Sequence, residues 1–239
     1  MFGTIRKQFL IQWRGWLWTL LIIFGGALSG IALHYFIILT DHETVSYIAL
    51  GTVMACIVAV FLGGAMIVSQ FIIYFDAEVS MGCTRSRFMV SVCAVDFLFM
   101  ILYAAAAALI NFTENALDRI LYPGMSCEIN LLPYFLKWGI PAAAFLCILC
   151  IFMGVLILRY GKKAFWVLWI LWMLGCVGIP QIMEAAGEAP NSLFGRIGRA
   201  CAGIMNNTSI HTMIILGVLV CALSLGITWE LIRKQQVTM

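Results

Sequence analysis

Charge is what this sequence has least of. Only 10% of its 239 residues are Asp, Glu, Lys or Arg, against ~25% in a typical soluble domain. A water-soluble globule with 64% hydrophobic residues cannot hide that much apolar surface, whereas a bilayer can. Histidine is scarce too: His34, His42 and His211 are the full set, and each falls near the end of an apolar run. No H-E-x-x-H, no G-x-S-x-G and no G-x-x-x-x-G-K-[ST] occurs. This removes the zinc-protease, serine-hydrolase and phosphate-loop signatures. Pro- or Gly/Ser-rich linkers, fixed-period repeats and low-complexity tracts are also missing, so the chain reads as a single unit over residues 1–239. The first apolar run is too long for a cleaved signal sequence, and none is expected.

Six apolar runs occupy most of the chain, at about Trp16–Leu39, Tyr47–Tyr74, Phe88–Ile110, Pro133–Leu158, Ala164–Met183 and His211–Leu231. Each has the ~20 residues that a helix needs to cross ~30 Å of hydrocarbon. The alternation of a membrane β-barrel is absent, so the predicted fold class is all-α integral membrane with six transmembrane helices. Basic residues set the orientation. With both termini cytoplasmic, the inner segments hold Arg6, Lys7, Arg14, Arg85, Arg87, Arg159, Lys162, Lys163, Arg233 and Lys234. The outer ones hold only Arg119, Lys137, Arg196 and Arg199. Nine cysteines are present, most inside apolar runs, where cysteine acts as a small hydrophobe. Cys147 and Cys150 form a C-x-x-C within a span, with no cation nearby to activate a thiol. Cys127 and Cys201, in predicted outer segments, are candidates for a disulfide. No metal site is expected.

Four segments are more than plain spans. Over residues 1–15, Phe2, Ile5, Phe9, Leu10 and Trp13 fall on one helical face with Arg6, Lys7 and Arg14 largely off it. That pattern predicts an amphipathic interfacial helix on the inner leaflet. Between spans two and three, residues 75–87 predict a short cytoplasmic helix opened by Asp76 and Glu78, stopped at Gly82 and followed by Thr84 as the cap of the next helix. Arg85 and Arg87 then open span three, where the helix dipole disfavours cations, which points to a headgroup or partner contact. The inner connection Arg159–Lys163 is tight and basic, suited to anchoring a helical hairpin. Residues 185–210 are too polar and Gly-rich to span and are expected to be an outer, re-entrant-like segment. Inside the spans, Asp96 is the clearest ionisable residue. An intramembrane carboxyl must face protein or a cavity, with Ser69 or Gln70 as neutral partners.

The stretch Glu78-Val79-Ser80-Met81-Gly82-Cys83-Thr84-Arg85-Ser86-Arg87-Phe88 is similar to the E-[IV]-S-x-G-x-[ST]-R-x-x-F stretch of small bacterial type-2 permeases. With the six spans, the N-terminal amphipathic helix and the re-entrant-like segment, most of the chain resembles the membrane-spanning permease subunit of an ATP-binding-cassette (ABC) transporter of the export type. The resemblance implies that Phe75, Asp76, Glu78, Val79, Met81, Gly82, Arg85 and Arg87 couple the chain to a separate ABC ATPase subunit dimer. It implies a second permease subunit, identical or related, and a location in the plasma membrane, specifically the bacterial cytoplasmic membrane. The chain itself would carry no catalytic residue and no cofactor, with ATP and Mg on the partner ATPase. It would bind no nucleic acid, and its cargo would be drugs, antimicrobial peptides or other amphipathic molecules. The alternative is a substrate-capturing or regulatory membrane subunit without a pathway of its own.

Overall fold

The computed structural model describes residues 2–40, 46–121, 126–127, 131–178, 181, 196, 199 and 210–234. A chain surrounded by hydrocarbon must pair its backbone groups internally, and helices do so within one segment. The described chain is accordingly almost wholly helical. Helix α1 is Phe2–Thr40, α2 Leu50–Ser80, α3 Arg85–Leu121 and α4 Leu132–Tyr160. Helix α5 is Lys162–Met173, running into a π-helical turn at Leu174–Gly178, and α6 is Ile210–Lys234. The only extended pairing among the described residues is parallel and two residues long, Ser46 opposite Ser126 and Tyr47 opposite Cys127. It ties the connection after α1 to the connection after α3.

Five helices, α1 to α4 and α6, are long and apolar enough to cross a membrane. The sixth expected span, Ala164–Met183, is represented by α5 and its π turn, and its remainder lies almost entirely outside the described residues. So does nearly all of the predicted 185–210 segment, and so does the Cys127–Cys201 pairing.

The helices outrun the bilayer. At ~1.5 Å per residue, α3 with its 37 residues is about 55 Å long, well beyond ~30 Å of hydrocarbon. It packs against α1, α2, α4 and α6, and its buried stripe of Phe88, Val92, Val95, Phe99 and Tyr103 forms the centre of the core. Trp16 lies flat on Phe99, with ring centroids 4.8 Å apart and planes within 4°, and the Tyr103 hydroxyl donates to the Trp16 carbonyl at 3.0 Å. Helix α5 stands apart. None of its residues is buried, and it reaches α2 through an edge-on contact of Trp172 with Phe61.

Two expectations need correction. The N-terminal segment is not a separate interfacial helix over 1–15, because α1 runs unbroken from Phe2 to Thr40. Phe9 stacks on Phe99 at 5.3 Å, the fifteenth residue of α3, so this part of α1 lies along the bundle. Its inward face is also the polar one. Gln8, Gln12, Trp16 and Thr19 are buried, while Leu10 and Trp13 point away from the bundle, Leu10 with 57% of its surface exposed. The second correction concerns residues 75–80. They form no short helix of their own but are the last turns of α2. Asp76 and Glu78 therefore sit near a helix C-terminus.

Candidate functional site

The turn between α2 and α3 is fixed by its own residues. Gly82 adopts φ +90°, a conformation that costs glycine nothing and any side chain something. The Cys83 N–H donates to the Glu78 carbonyl at 3.0 Å and the Gly82 N–H to the Val79 carbonyl at 3.1 Å. This is the paired bonding of a Schellman stop. Two residues on, the Thr84 hydroxyl accepts from the Arg87 N–H at 3.4 Å, capping α3 at its third residue. Gly82 and Thr84 thus take the stop and cap positions assigned to them from sequence.

The proposed coupling residues divide between the inside and the outside of this turn. Phe75 is buried edge-on against Phe88, ring centroids 5.4 Å apart. Glu78 is only 2% exposed. Val79 and Asp76 are half-buried, whereas Met81, 67% exposed, stands at the tip beside Gly82 and Arg87. Arg85 turns towards the end of the chain and donates to the Arg233 carbonyl of α6 at 2.7 Å. A cation misplaced at the N-terminus of α3 is well placed at the C-terminus of α6. The Cys83 thiol is pushed up from its ordinary range, first by burial and then by the nearby Glu78 charge. It is therefore not a ready nucleophile.

Glu78 ends a polar ladder that sequence reading missed. With the Gln8 amide oriented to satisfy its neighbours, Gln8 donates to the Glu78 carboxylate and accepts from Gln12, and Gln12 accepts from the Trp16 indole N–H at 3.3 Å. The 8-12-16 spacing was visible as one helical face. That face meets protein, with Gln8, Gln12 and Trp16 all buried.

A second cluster at the opposite end was missed as well. Helix α2 begins at Leu50 with no side-chain cap of its own. Glu114 of α3 supplies one from 62 residues away. Its Oε1 accepts from the Gly51 N–H at 2.8 Å, and its Oε2 accepts from the N–H and the hydroxyl of Thr52, each at 2.8 Å. Asn111 adds a bond to the Thr52 hydroxyl at 3.2 Å. The carboxylate thus meets two of the orphan donors of a helix start, where the dipole favours an anion. One turn further, Asp118 accepts from the Tyr35 hydroxyl at 3.0 Å and lies 3.6 Å from His34 Nε2. No periodicity within one helix could reveal either contact.

Asp96 is fully enclosed. Gln70 of α2 faces it, yet neither side chain makes a hydrogen bond of ordinary geometry; Ser69, the other neutral partner considered, bonds back to the Met66 carbonyl of its own helix. Two apolar grooves flank this part of the bundle. One, about 340 Å³, lies among α2, α3 and α4 beside Tyr103, Tyr134 and Trp138. The other, about 750 Å³, lies among α3, α4 and α6. Among the described residues, no group of three or more His, Cys, Asp or Glu side chains is placed to hold a metal ion.

The apolar helices, their lengths and their buried polar ladders make this a multi-pass α-helical membrane protein. Comparison with protein-family models, characterised proteins and solved structures gave no match.

Proposed function

We propose that the chain is the permease subunit of an ABC exporter of amphipathic molecules, driven by a separate ATPase dimer on the cytoplasmic face. The observation that carries this reading is the α2–α3 turn. It is a doubly fixed connection with an apolar tip at Met81, an exposed cation at Arg87, and inner residues tied to the rest of the bundle. Phe75 rests on α3 through Phe88, Glu78 is held by α1 through Gln8, and Arg85 holds α6. A push on the tip would therefore reach three helices at once. In this reading Met81, Val79 and Arg87 meet the ATPase, while Phe75, Glu78 and Arg85 transmit the push. Small contacts of this kind work when an apolar side chain fills a pocket and charges fix the register. The uncovered apolar surface of α5 is offered to the second permease subunit.

One observation favours the alternative of a substrate-capturing or regulatory subunit: among the described residues no free-standing helix lies between α2 and α3. A single experiment separates the two readings. The tagged chain is isolated from its native membrane in mild detergent and its partners are identified by mass spectrometry. The permease reading requires a Walker-motif ATPase in the wild-type complex and its loss with Met81→Asp, at unchanged membrane insertion. A complex without an ATPase, or one indifferent to Met81→Asp, moves the alternative ahead.

A further inference from the structure

Of the two arginines that open α3, Arg85 is taken up by the Arg233 carbonyl of α6. Arg87 is exposed. With Lys7 of α1 it lines a recess of about 280 Å³ between the start of α1 and the α2–α3 turn. Among the described residues, neither cation stands within ion-pair distance of a carboxylate. Glu78 is the acid in the same wall. It is almost wholly buried, and its carboxylate accepts from the Gln8 amide. Two cations against one carboxylate leave the recess with one positive charge in excess.

The space is open at both sides of the turn. A Cβ at Gly3 or at Gly82, both in the wall, would meet nothing within 4 Å. Gly3 and Thr4 lie in the first turn of α1, where no intrahelical carbonyl reaches the N–H groups. What lies alongside the recess decides what fits it. Leu10 and Ile11 are three and four residues beyond Lys7 and share its face of α1. Both are apolar and exposed, Leu10 at 57%. Lys7 is therefore only ~4.5 Å along the helix axis from lipid-facing surface. A free anion would use the recess alone. A phospholipid would use both parts, its phosphate in the recess and an acyl chain over Leu10 and Ile11.

We propose that the recess binds the phosphate of an acidic phospholipid, held by Lys7 and Arg87. A phosphodiester carries one negative charge and matches the excess in the wall. The choline of a zwitterionic headgroup would cancel that match and offers Glu78 no donor. Charge-assisted bonds of Arg and Lys to phosphate are among the stronger hydrogen bonds, and basic clefts between helices at the cytoplasmic surface suit such headgroups. Arg87, with five N–H donors, can serve both the headgroup and the ATPase contact proposed above. Lys7 belongs to the lipid site alone. The inference needs no ATPase and stands or falls apart from the permease reading.

The test uses the purified full chain in a non-ionic detergent, with native mass spectrometry as the readout. The probes are dioleoylphosphatidylglycerol, dioleoylphosphatidylcholine and inorganic phosphate. The first phosphatidylglycerol adduct is expected at a concentration at least tenfold below the first phosphatidylcholine adduct, and excess inorganic phosphate should not displace it. The double variant Lys7→Gln, Arg87→Gln should weaken it roughly thirtyfold, from the loss of two surface cations. Gly3→Asp puts a carboxylate into the open space at a helix start, where an acid does not harm folding. It should weaken binding similarly, so the result does not hang on one variant. Lys137→Gln, which removes an exposed cation from α4, should leave binding unchanged. Equal affinity for phosphatidylcholine, displacement by inorganic phosphate, or wild-type binding by the folded double variant overturns the proposal.

Discussion

Replacing Glu114 should do more harm than its place near the end of a long helix suggests. Glu114→Ala removes three hydrogen bonds of 2.8 Å from one carboxylate and leaves the Gly51 and Thr52 N–H groups without an acceptor. Each buried donor so orphaned costs ~1–3 kcal/mol, and the lost charge at the start of α2 adds ~0.3–1 kcal/mol. The Thr52 hydroxyl still accepts from Asn111 but loses its own acceptor, and the two N–H groups and the charge alone sum to about 2–7 kcal/mol. Glu114→Gln keeps one acceptor and points an amide donor at another donor, for roughly half that loss. The protein carries its own reporter of unfolding, since Cys147 and Cys150 are buried and free. A maleimide dye that fluoresces on reaction, added during a thermal ramp in detergent, reads their exposure. The expected order of melting is wild type, then Asn111→Ala, then Glu114→Gln, with Glu114→Ala lowest by ten degrees or so at ~2–4 °C per kcal/mol. A Glu114→Ala chain that melts with the wild type would refute the capping role.

Three further outcomes are expected. Arg85→Ala removes the bond to the Arg233 carbonyl, worth ~0.5–1.5 kcal/mol; amide exchange in the last turn of α6 should quicken while the middle of α3 is unaffected, and equal rates would show that the contact does not hold in solution. Gly30→Ala places a methyl 2.6 Å from the Leu50 carbonyl oxygen and 2.8 Å from Gly51 Cα, backbone atoms that cannot swing aside, so a loss of ~1–3 kcal/mol is expected in the same thermal assay. Gly25→Ala, which meets nothing within 4 Å, is the control that should not lose stability. In a cysteine-free background, an impermeant thiol reagent applied outside intact cells should label a cysteine at Ile120, 76% exposed at the far end of α3, and should not label one at Gly3; labelling at Gly3 would reverse the orientation drawn from the basic residues.

The parts of the architecture that depend on one segment were legible in the sequence. Run lengths gave the helices, Gly82 gave the stop of α2 and Thr84 the cap of α3, because a left-handed backbone and an N-cap are local demands. The sequence pattern misled where a side chain's partner lies on another helix. Gln8 and Gln12 carry no sign of a partner until Glu78 is brought against Gln8. Asp76 and Glu78 look like the opening of a new helix, as acids near an N-terminus would. In fact α2 continues to Ser80, because burying Phe75 against Phe88 and Glu78 against Gln8 rewards two more helical turns. Arg85 looked unfavourably placed because only its own helix was considered. Glu114 carried no signal, since an acid in an exposed-looking outer turn is ordinary and its donors are more than sixty residues earlier.

The Glu114 bonds also constrain how the bundle can move. Sliding α3 along α2 by a single residue, ~1.5 Å, would pull the carboxylate away from Gly51 and Thr52 at one end. At the other, the four-residue connection between Ser80 and Arg85 leaves no slack. Helices α2 and α3 therefore behave like two beams bolted together at both ends and turn as one body. Any change in the width of the α3–α4–α6 groove must come from its opposite wall. There α4 and α6 can shift as hinged panels against a fixed post.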